Sequence, residues 1–185
     1  MTPKIILLDL DGPVANFEQG FLELWQKQFP KEPFIPLKDR ITHSHTGQYP
    51  EKMVLKIYGT PGFFRNLKPV HGFKEAVQEL EHMGHDVRIC TSPLSEYRHC
   101  VLEKYEWVDE HLGKAAIDKM ILTRDKTIVA GHILIDDNPE ITGTMLPKWA
   151  RVVFDMPFNR TVARAYPRMN WRTWKRTLLP ILSVS

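Results

Sequence analysis

The stretch Lys4-Ile-Ile-Leu-Leu-Asp9-Leu-Asp-Gly12 runs four aliphatic residues without interruption into two carboxylates and a glycine. An unbroken apolar run of this length, bounded by polar residues, reads as a strand buried on both faces, the kind a parallel sheet uses. Similar runs recur at Asp86-Val-Arg-Ile-Cys-Thr91, Lys119-Met-Ile-Leu-Thr123, His132-Ile-Leu-Ile-Asp136 and Ala150-Arg-Val-Val-Phe154. Helical patterns lie between them. Val70 to Met83 spaces Phe73, Ala76, Val77 and Leu80 on one face and stops at Gly84, and Ser95 to Leu112 stops at Gly113. Strands alternating with helices imply right-handed crossovers, hence an α/β protein whose mostly parallel sheet carries helices on both faces.

One long connection breaks this rhythm, directly after the first strand. It holds a helical pattern from Val14 to Phe29, a turn rich in Pro30, Pro33 and Pro36, and a second helical pattern from Pro50 to Tyr58. Connections in α/β folds are ordinarily short, so this one reads as a helical insertion. Ligands of open α/β sheets bind beyond the carboxyl ends of the strands, where such an insertion overhangs the site as a cap. The expected organisation is one domain over 1–185, with a core of 1–15 and 70–185 and a cap of about 16–69.

Composition narrows the function classes. A chain of 185 residues, 43% hydrophobic and 25% charged, is long enough for one well-buried core and is not that of a disordered segment. The apolar run before Asp9 is far too short to span a bilayer, which takes ~20 residues. Two cysteines, Cys90 and Cys100, do not make a secreted disulfide framework. A soluble cytoplasmic protein with free thiols is expected. Six basic residues and no acid follow Met156, leaving a small acidic excess in the rest of the chain. Such a tail can attract nucleic acid, but Trp171, Trp174 and Leu178 fall at helical spacing, so a packed helix with a charged outer face is expected instead.

Three strands end in polar residues: Asp9-Leu-Asp-Gly12, Thr91-Ser92 and Asp136-Asp137-Asn138. Parallel neighbours end on one edge of the sheet, so these groups converge despite their separation in sequence. Four aspartates so gathered repel one another unless a cation holds them. Carboxylate oxygens without supporting cysteine or histidine suit Mg²⁺, which shares its coordination with substrate phosphate oxygens. An EF-hand is excluded, because the later oxygen ligands and the bidentate glutamate are missing. His43 and His45 lack a third nearby ligand and read as polar loop residues.

Asp9-Leu-Asp-Gly12, Thr91, a downstream lysine and Asp136-Asp137 together resemble the four motifs of the haloacid dehalogenase-like (HAD) phosphatases. Asp9 to Glu18, Pro61-Gly-Phe-Phe64, Ile89 to Leu94, Glu103 to Val108, Ile121 to Thr127 and Leu134 to Asp137 are, in that order, similar to segments of the 5′(3′)-deoxyribonucleotidases. The resemblance implies a Rossmann-like core with a small cap, and hydrolysis of deoxyribonucleoside monophosphates through an aspartyl-phosphate. It implies Asp9 as nucleophile and Asp11 as acid and base. Thr91 and Ser92 would hold the phosphoryl group, with Lys126 neutralising it and Lys104 the rival for that role. Mg²⁺ would lie on Asp9, Asp137 and the main-chain carbonyl of Asp11, while Asp136 would orient a lysine or water.

Phe17 and Tyr58 stand where relatives surround the nucleoside with aromatics, and His43 stands near a position where relatives carry a phenylalanine. Pro13 replaces an aliphatic residue. The partners implied are a nucleotide substrate and no membrane; nucleic acid is not expected, because a cap closing over the site excludes a polymer. A homodimer is compatible with the sequence, which does not settle oligomeric state. The alternatives are another small phosphate ester, a nucleic-acid end, or a non-catalytic nucleotide-binding module.

Overall fold

The aliphatic run opens the fold at the centre of its sheet. In the computed structural model, which describes residues 2–162 and 164–183, Ile5–Leu8 forms β1, with Ile6, Leu7 and Leu8 at most 1% exposed. Burying side chains of this size contributes on the order of 2 kcal/mol each. Six parallel strands follow the order β3-β2-β1-β4-β5-β6, where β2 is Asp86–Thr91, β3 Ile121–Leu122, β4 Ile133–Asp136, β5 Ala150–Phe154 and β6 Arg168–Met169. The chain fills one side of β1 with β2 and β3, then crosses to the other side for β4 to β6. The order reverses at β1, so a crevice opens beyond its carboxyl end.

Six helices accompany the sheet: α1 Phe17–Gln28, α2 Glu51–Tyr58, α3 Phe73–His82, α4 Cys100–Leu112, α5 Lys114–Ile117 and α6 Trp174–Ser183. In α3 the residues Phe73, Ala76, Val77 and Leu80 are buried, as their spacing requires. Gly84 takes φ +89 immediately after it, and the His85 N–H then returns to the Leu80 carbonyl at 3.1 Å. The expected helix from Ser95 starts only at Cys100. The Leu94 N–H is held by Cys100 Sγ at 3.4 Å and the Tyr97 hydroxyl by Glu103 at 2.5 Å, which fixes the intervening residues as turns. Both two-residue edge strands differ from the expectation: β3 is shorter than its apolar run, and β6 has no apolar run at all.

The inserted segment leaves and re-enters the core at one place. Asn16 N–H donates to the Lys68 carbonyl, and Val70 N–H to the Val14 carbonyl, both at 2.8 Å, so the outgoing and returning chains lie side by side. Beyond that crossing, α1 is capped by Asn16 and buries Phe21, Leu22 and Trp25, while α2 buries Val54 and Ile57. Phe21, Trp25 and Tyr49 pack ring to ring, with centroids 4.4 to 5.8 Å apart. Trp171, Trp174 and Leu178 are all buried, and the indole N–H of Trp171 donates to the Pro13 carbonyl at 2.6 Å, tying the tail to the turn after β1. Among the described residues no helix is long and apolar enough to cross a membrane.

Candidate active site

Strand β1 delivers Asp9 and Asp11, β2 ends at Thr91, and β4 ends at Asp136 with Asp137 next. The Asp9 N–H donates to the Ile135 carbonyl at 2.9 Å, which continues the β1–β4 ladder one residue past the strand. Gly12 then turns with φ +94, and a Cβ there would stand 2.1 Å from Asp137 Oδ2. Only a residue without a side chain lets Asp137 close onto the turn. Carboxylate oxygens of Asp9, Asp136 and Asp137 consequently lie within 4.8 Å of one another.

Two buried lysines serve this cluster from different elements. Lys126, at the start of a 3-10 turn, donates to Asp136 Oδ2 at 2.6 Å and approaches Asp9 Oδ1 at 2.8 Å. Lys104, on α4, donates to Asp11 Oδ2 at 2.7 Å, Thr91 Oγ1 at 2.9 Å and the Ser92 carbonyl at 2.7 Å. The two lysines named as rivals are therefore both present, on different carboxylates. The Ser92 hydroxyl is turned to the Thr123 carbonyl at 2.9 Å, although Ser92 still lines the cavity.

Charge in the cluster is uneven. Burial works against the ammonium of Lys126, yet Asp9 and Asp136 hold it protonated well above the ordinary lysine range. Burial raises Asp11, opposed by Lys104 and assisted by Asp9, which favours a carboxyl that keeps its proton closer to neutral pH. Asp137 is raised well above the ordinary carboxylate range, by burial and by the charges of Asp136, Asp9 and Glu18. Both oxygens of Asp136 are engaged, one by Lys126 and one by the Asn138 N–H at 2.9 Å. Among the described residues no donor hydrogen-bonds the Asp137 carboxylate; the nearest basic group is His43 Nε2 at 3.9 Å, and desolvation lowers its pKa below the ordinary histidine value, although nearby Asp136 and Asp9 pull the other way.

That imbalance is the test for a metal. An oxygen-only set holding one carboxylate without a donor fits a hard divalent cation, whose charge would offset the repulsion that burial amplifies. Asp9 and Asp137 present the side-chain oxygens for it, whereas Asp136 is committed to Lys126. Asp11 Oδ1 is buried without a partner, free to face a reacting group.

A cavity of about 420 Å³ runs from this cluster toward the inserted segment. Asp9, Asp11, Thr91, Ser92, Lys126, Asp136 and Asp137 line it from the core, and Phe17, His43 and Tyr58 from the inserted segment, with His43 reaching to 3.9 Å from Asp137. Lys104 lies behind the first group. Sequence reasoning missed Glu18, which also lines the cavity, and Arg40 behind it, and it took His45 for a polar loop residue, whereas His45 is buried beside Glu18. The Arg40 guanidinium donates to Glu18 at 3.0 Å, and His45 Nε2 stands 3.5 Å from the same oxygen. Burial would raise Glu18, but His45 and Arg40 together bring it below the ordinary glutamate value. Arg40 lies in the loop quoted for His43, yet no spacing rule joins it to a glutamate in α1. Arg124 and Asn138 also line the cavity and follow β3 and β4 at the same sheet edge.

Comparison with known proteins bears on this geometry. The family model described as 5′ nucleotidase, deoxy (Pyrimidine), cytosolic type C protein matches residues 3–180. A Bordetella bronchiseptica protein provisionally named a 5′(3′)-deoxyribonucleotidase is 47% identical over 177 residues, covering 94% of this chain and 95% of its own length. The human cytosolic-type 5′(3′)-deoxyribonucleotidase is 40% identical over 185 residues, covering 96% of this chain and 92% of the human protein. Among solved structures, a HAD family hydrolase from Deinococcus radiodurans with bound phosphate and sodium aligns with a TM-score of 0.60 at 14% identity. It covers 97% of this chain and 96% of that one. A HAD-hydrolase of Bacillus subtilis bound to magnesium gives 0.54 at 11% identity over 95% of this chain and 98% of that one, so the shared feature is the fold. With the HAD fold beneath it and a family match spanning nearly its whole length, the chain belongs to the 5′ nucleotidase, deoxy (pyrimidine), cytosolic type C family.

Proposed function

We propose that the chain is a Mg²⁺-dependent 5′(3′)-deoxyribonucleotidase, releasing nucleoside and inorganic phosphate from deoxyribonucleoside monophosphates. The observation that carries this reading is a single cavity lined by Asp9, Asp11, Thr91 and Lys126 from the core and by Phe17 and Tyr58 from the inserted segment. Its volume suits a small ligand with one anionic and one apolar end. The names of the relatives supply the substrate class.

In this reading an Asp9 oxygen attacks phosphorus as the bond to the nucleoside oxygen breaks, leaving phosphate on Asp9. Asp11 gives its proton to the departing oxygen, then takes one from the water that cleaves the aspartyl-phosphate. Burial, which raises Asp11, favours both roles. Lys104 keeps Asp11 and Thr91 in register, and Lys126 holds Asp9 while opposing negative charge on the transferred group. Thr91 and Ser92 position phosphoryl oxygens through hydroxyl and backbone N–H groups. Asp9, Asp137 and the Asp11 carbonyl would hold Mg²⁺, which when bound neutralises phosphate charge and lets one anion approach another.

Residues 16–69 act as the cap, joined to the core at the paired crossing of Val14–Asn16 with Lys68–Val70. A cytoplasmic location accords with two buried free thiols, Cys90 and Cys100. The test is phosphate release from ribo- and deoxyribonucleoside 5′- and 3′-monophosphates and simple sugar phosphates, with Mg²⁺ or with EDTA, using Asp9→Asn as control. Deoxy-selective release that needs Mg²⁺ and disappears in Asp9→Asn is expected. Release confined to sugar phosphates overturns the substrate, and an active Asp9→Asn overturns the nucleophile.

A further inference from the structure

Behind the nucleoside end of the cavity, three side chains form a line whose hydrogen positions can be deduced. Glu18 and Tyr58 line the cavity, and His45, 1% exposed, lies between them. His45 Nδ1 is 2.8 Å from the Tyr58 hydroxyl, and its Nε2 faces Glu18 Oε2 at 3.5 Å. Its ring stacks on Phe21 with centroids 3.6 Å apart, and a half-turn within that stack would put ring carbons against the Tyr58 hydroxyl and Glu18, so these two polar contacts set which way the ring faces.

The charge on Glu18 decides the tautomer. Arg40 donates to both Glu18 oxygens, at 3.0 and 3.5 Å, which keeps the carboxylate ionised. His45 Nε2 is buried and closes no hydrogen bond, and the atom before it is Glu18 Oε2; a bare ring nitrogen facing an ionised carboxylate is repelled, so Nε2 carries the hydrogen. Burial, with the Arg40 cation nearby, keeps His45 from taking a second proton, although Glu18 pulls the other way. Nδ1 is then a lone pair, and the hydrogen in the contact with Tyr58 belongs to the phenol. The Tyr58 hydroxyl spends its only hydrogen on His45, and what remains on that oxygen is a lone pair.

We infer that the Glu18–His45–Tyr58 line makes Tyr58 a fixed hydrogen-bond acceptor at the nucleoside end of the cavity, selecting bases that present an N–H there. The inference deepens the nucleotidase reading and rests on it. Tyr58 touches the base; His45 is a positioning residue acting through it. A base without an N–H leaves that acceptor unpaired after losing water, a cost of the order that discriminates substrates about tenfold.

The probes are deoxyuridine and deoxycytidine monophosphates and the deoxynucleotide of 2-pyrimidinone, which lacks every base N–H of the other two and adds no bulk. In the unaltered protein the better natural substrate is expected to exceed the 2-pyrimidinone nucleotide about tenfold in kcat/KM. Tyr58→Phe removes the acceptor, and His45→Phe keeps a ring on Phe21 while freeing the phenol to donate. Both are expected to shrink the preference to within about threefold, in His45→Phe partly through gain on the 2-pyrimidinone nucleotide. Thermal melting verifies that each variant is folded, and a merely structural role would lower all three substrates together. An analogue turned over as well as both parents, or a preference that survives in both variants, overturns the inference. Turnover of none of the three by the unaltered protein defeats the nucleotidase reading instead.

Discussion

Asp137 concentrates the conflict between folding and chemistry in one side chain. It is buried among Asp136, Asp9 and the field of Glu18, and no donor among the described residues meets its carboxylate. Removing its charge relieves repulsion that the chain otherwise bears for function. In EDTA, Asp137→Asn is therefore expected to melt a few degrees above the parent, since ~1 kcal/mol shifts a domain of this size by about 2–4 °C. Added Mg²⁺ is expected to raise the melting temperature of the parent but not of the variant. A parent indifferent to Mg²⁺, or a variant that melts lower in EDTA, would contradict the assignment. The carboxylates were legible in the sequence because each ends a strand, and parallel strand ends share an edge. Glu18, Arg40 and His45 were not, because their contacts span 22 to 27 residues, from α1 into the loop beyond it, and no periodicity relates them.

Helix α4 is the element that links the two ends of the cavity. Its Lys104 reaches Asp11 and Thr91, and the neighbouring Glu103 accepts from the Gly62 N–H at 2.7 Å, the Phe64 N–H at 3.1 Å and the Tyr97 hydroxyl. One turn of helix thus fixes Asp11 and Thr91 as well as the Gly62–Phe64 stretch of the inserted segment. Glu103→Ala leaves two buried N–H groups without an acceptor, so a loss of about 2–3 kcal/mol in urea unfolding is expected. KM should rise several-fold, because Phe64 packs on Phe17 at the cavity wall with centroids 6.0 Å apart. Glu103→Gln, which keeps one oxygen, should recover part of both; equal KM in all three proteins would separate the loop from substrate binding. The body of α4 was readable from its spacing and Gly113, whereas its start was not. Side-chain bonds from Cys100 and Glu103 hold the preceding turn open, and spacing carries no sign of such bonds.

For the molecule as a whole, the question is whether the basic tail is an appendage or part of the core. Its charge can attract phosphates, yet two of its five arginines are spent on the protein: Arg160 and Arg168 both pair with Asp155, at 3.0 and 3.3 Å, while Arg164, Arg172 and Arg176 are exposed. Asn159, fully buried, donates from Nδ2 to the carbonyls of Asp137 and Phe154 at 2.8 and 2.9 Å, which steadies the backbone at the carboxylate cluster. Trp171 bonds to Pro13 beside the Asp9–Gly12 turn, and Trp174 and Leu178 close the core. Strand β6 escaped sequence reasoning because its two residues need β5 as a template and carry no pattern of their own. Truncation after Asp155 is accordingly expected to abolish folding, seen as loss of the cooperative melt, rather than to release a phosphatase without a tail. Trp171→Phe preserves the ring but strands the Pro13 carbonyl, and should cost about 1–3 kcal/mol with a fall in kcat as the Asp9–Gly12 turn loosens. A truncated chain that melts cooperatively and still hydrolyses nucleotides would return the tail to the status of an appendage.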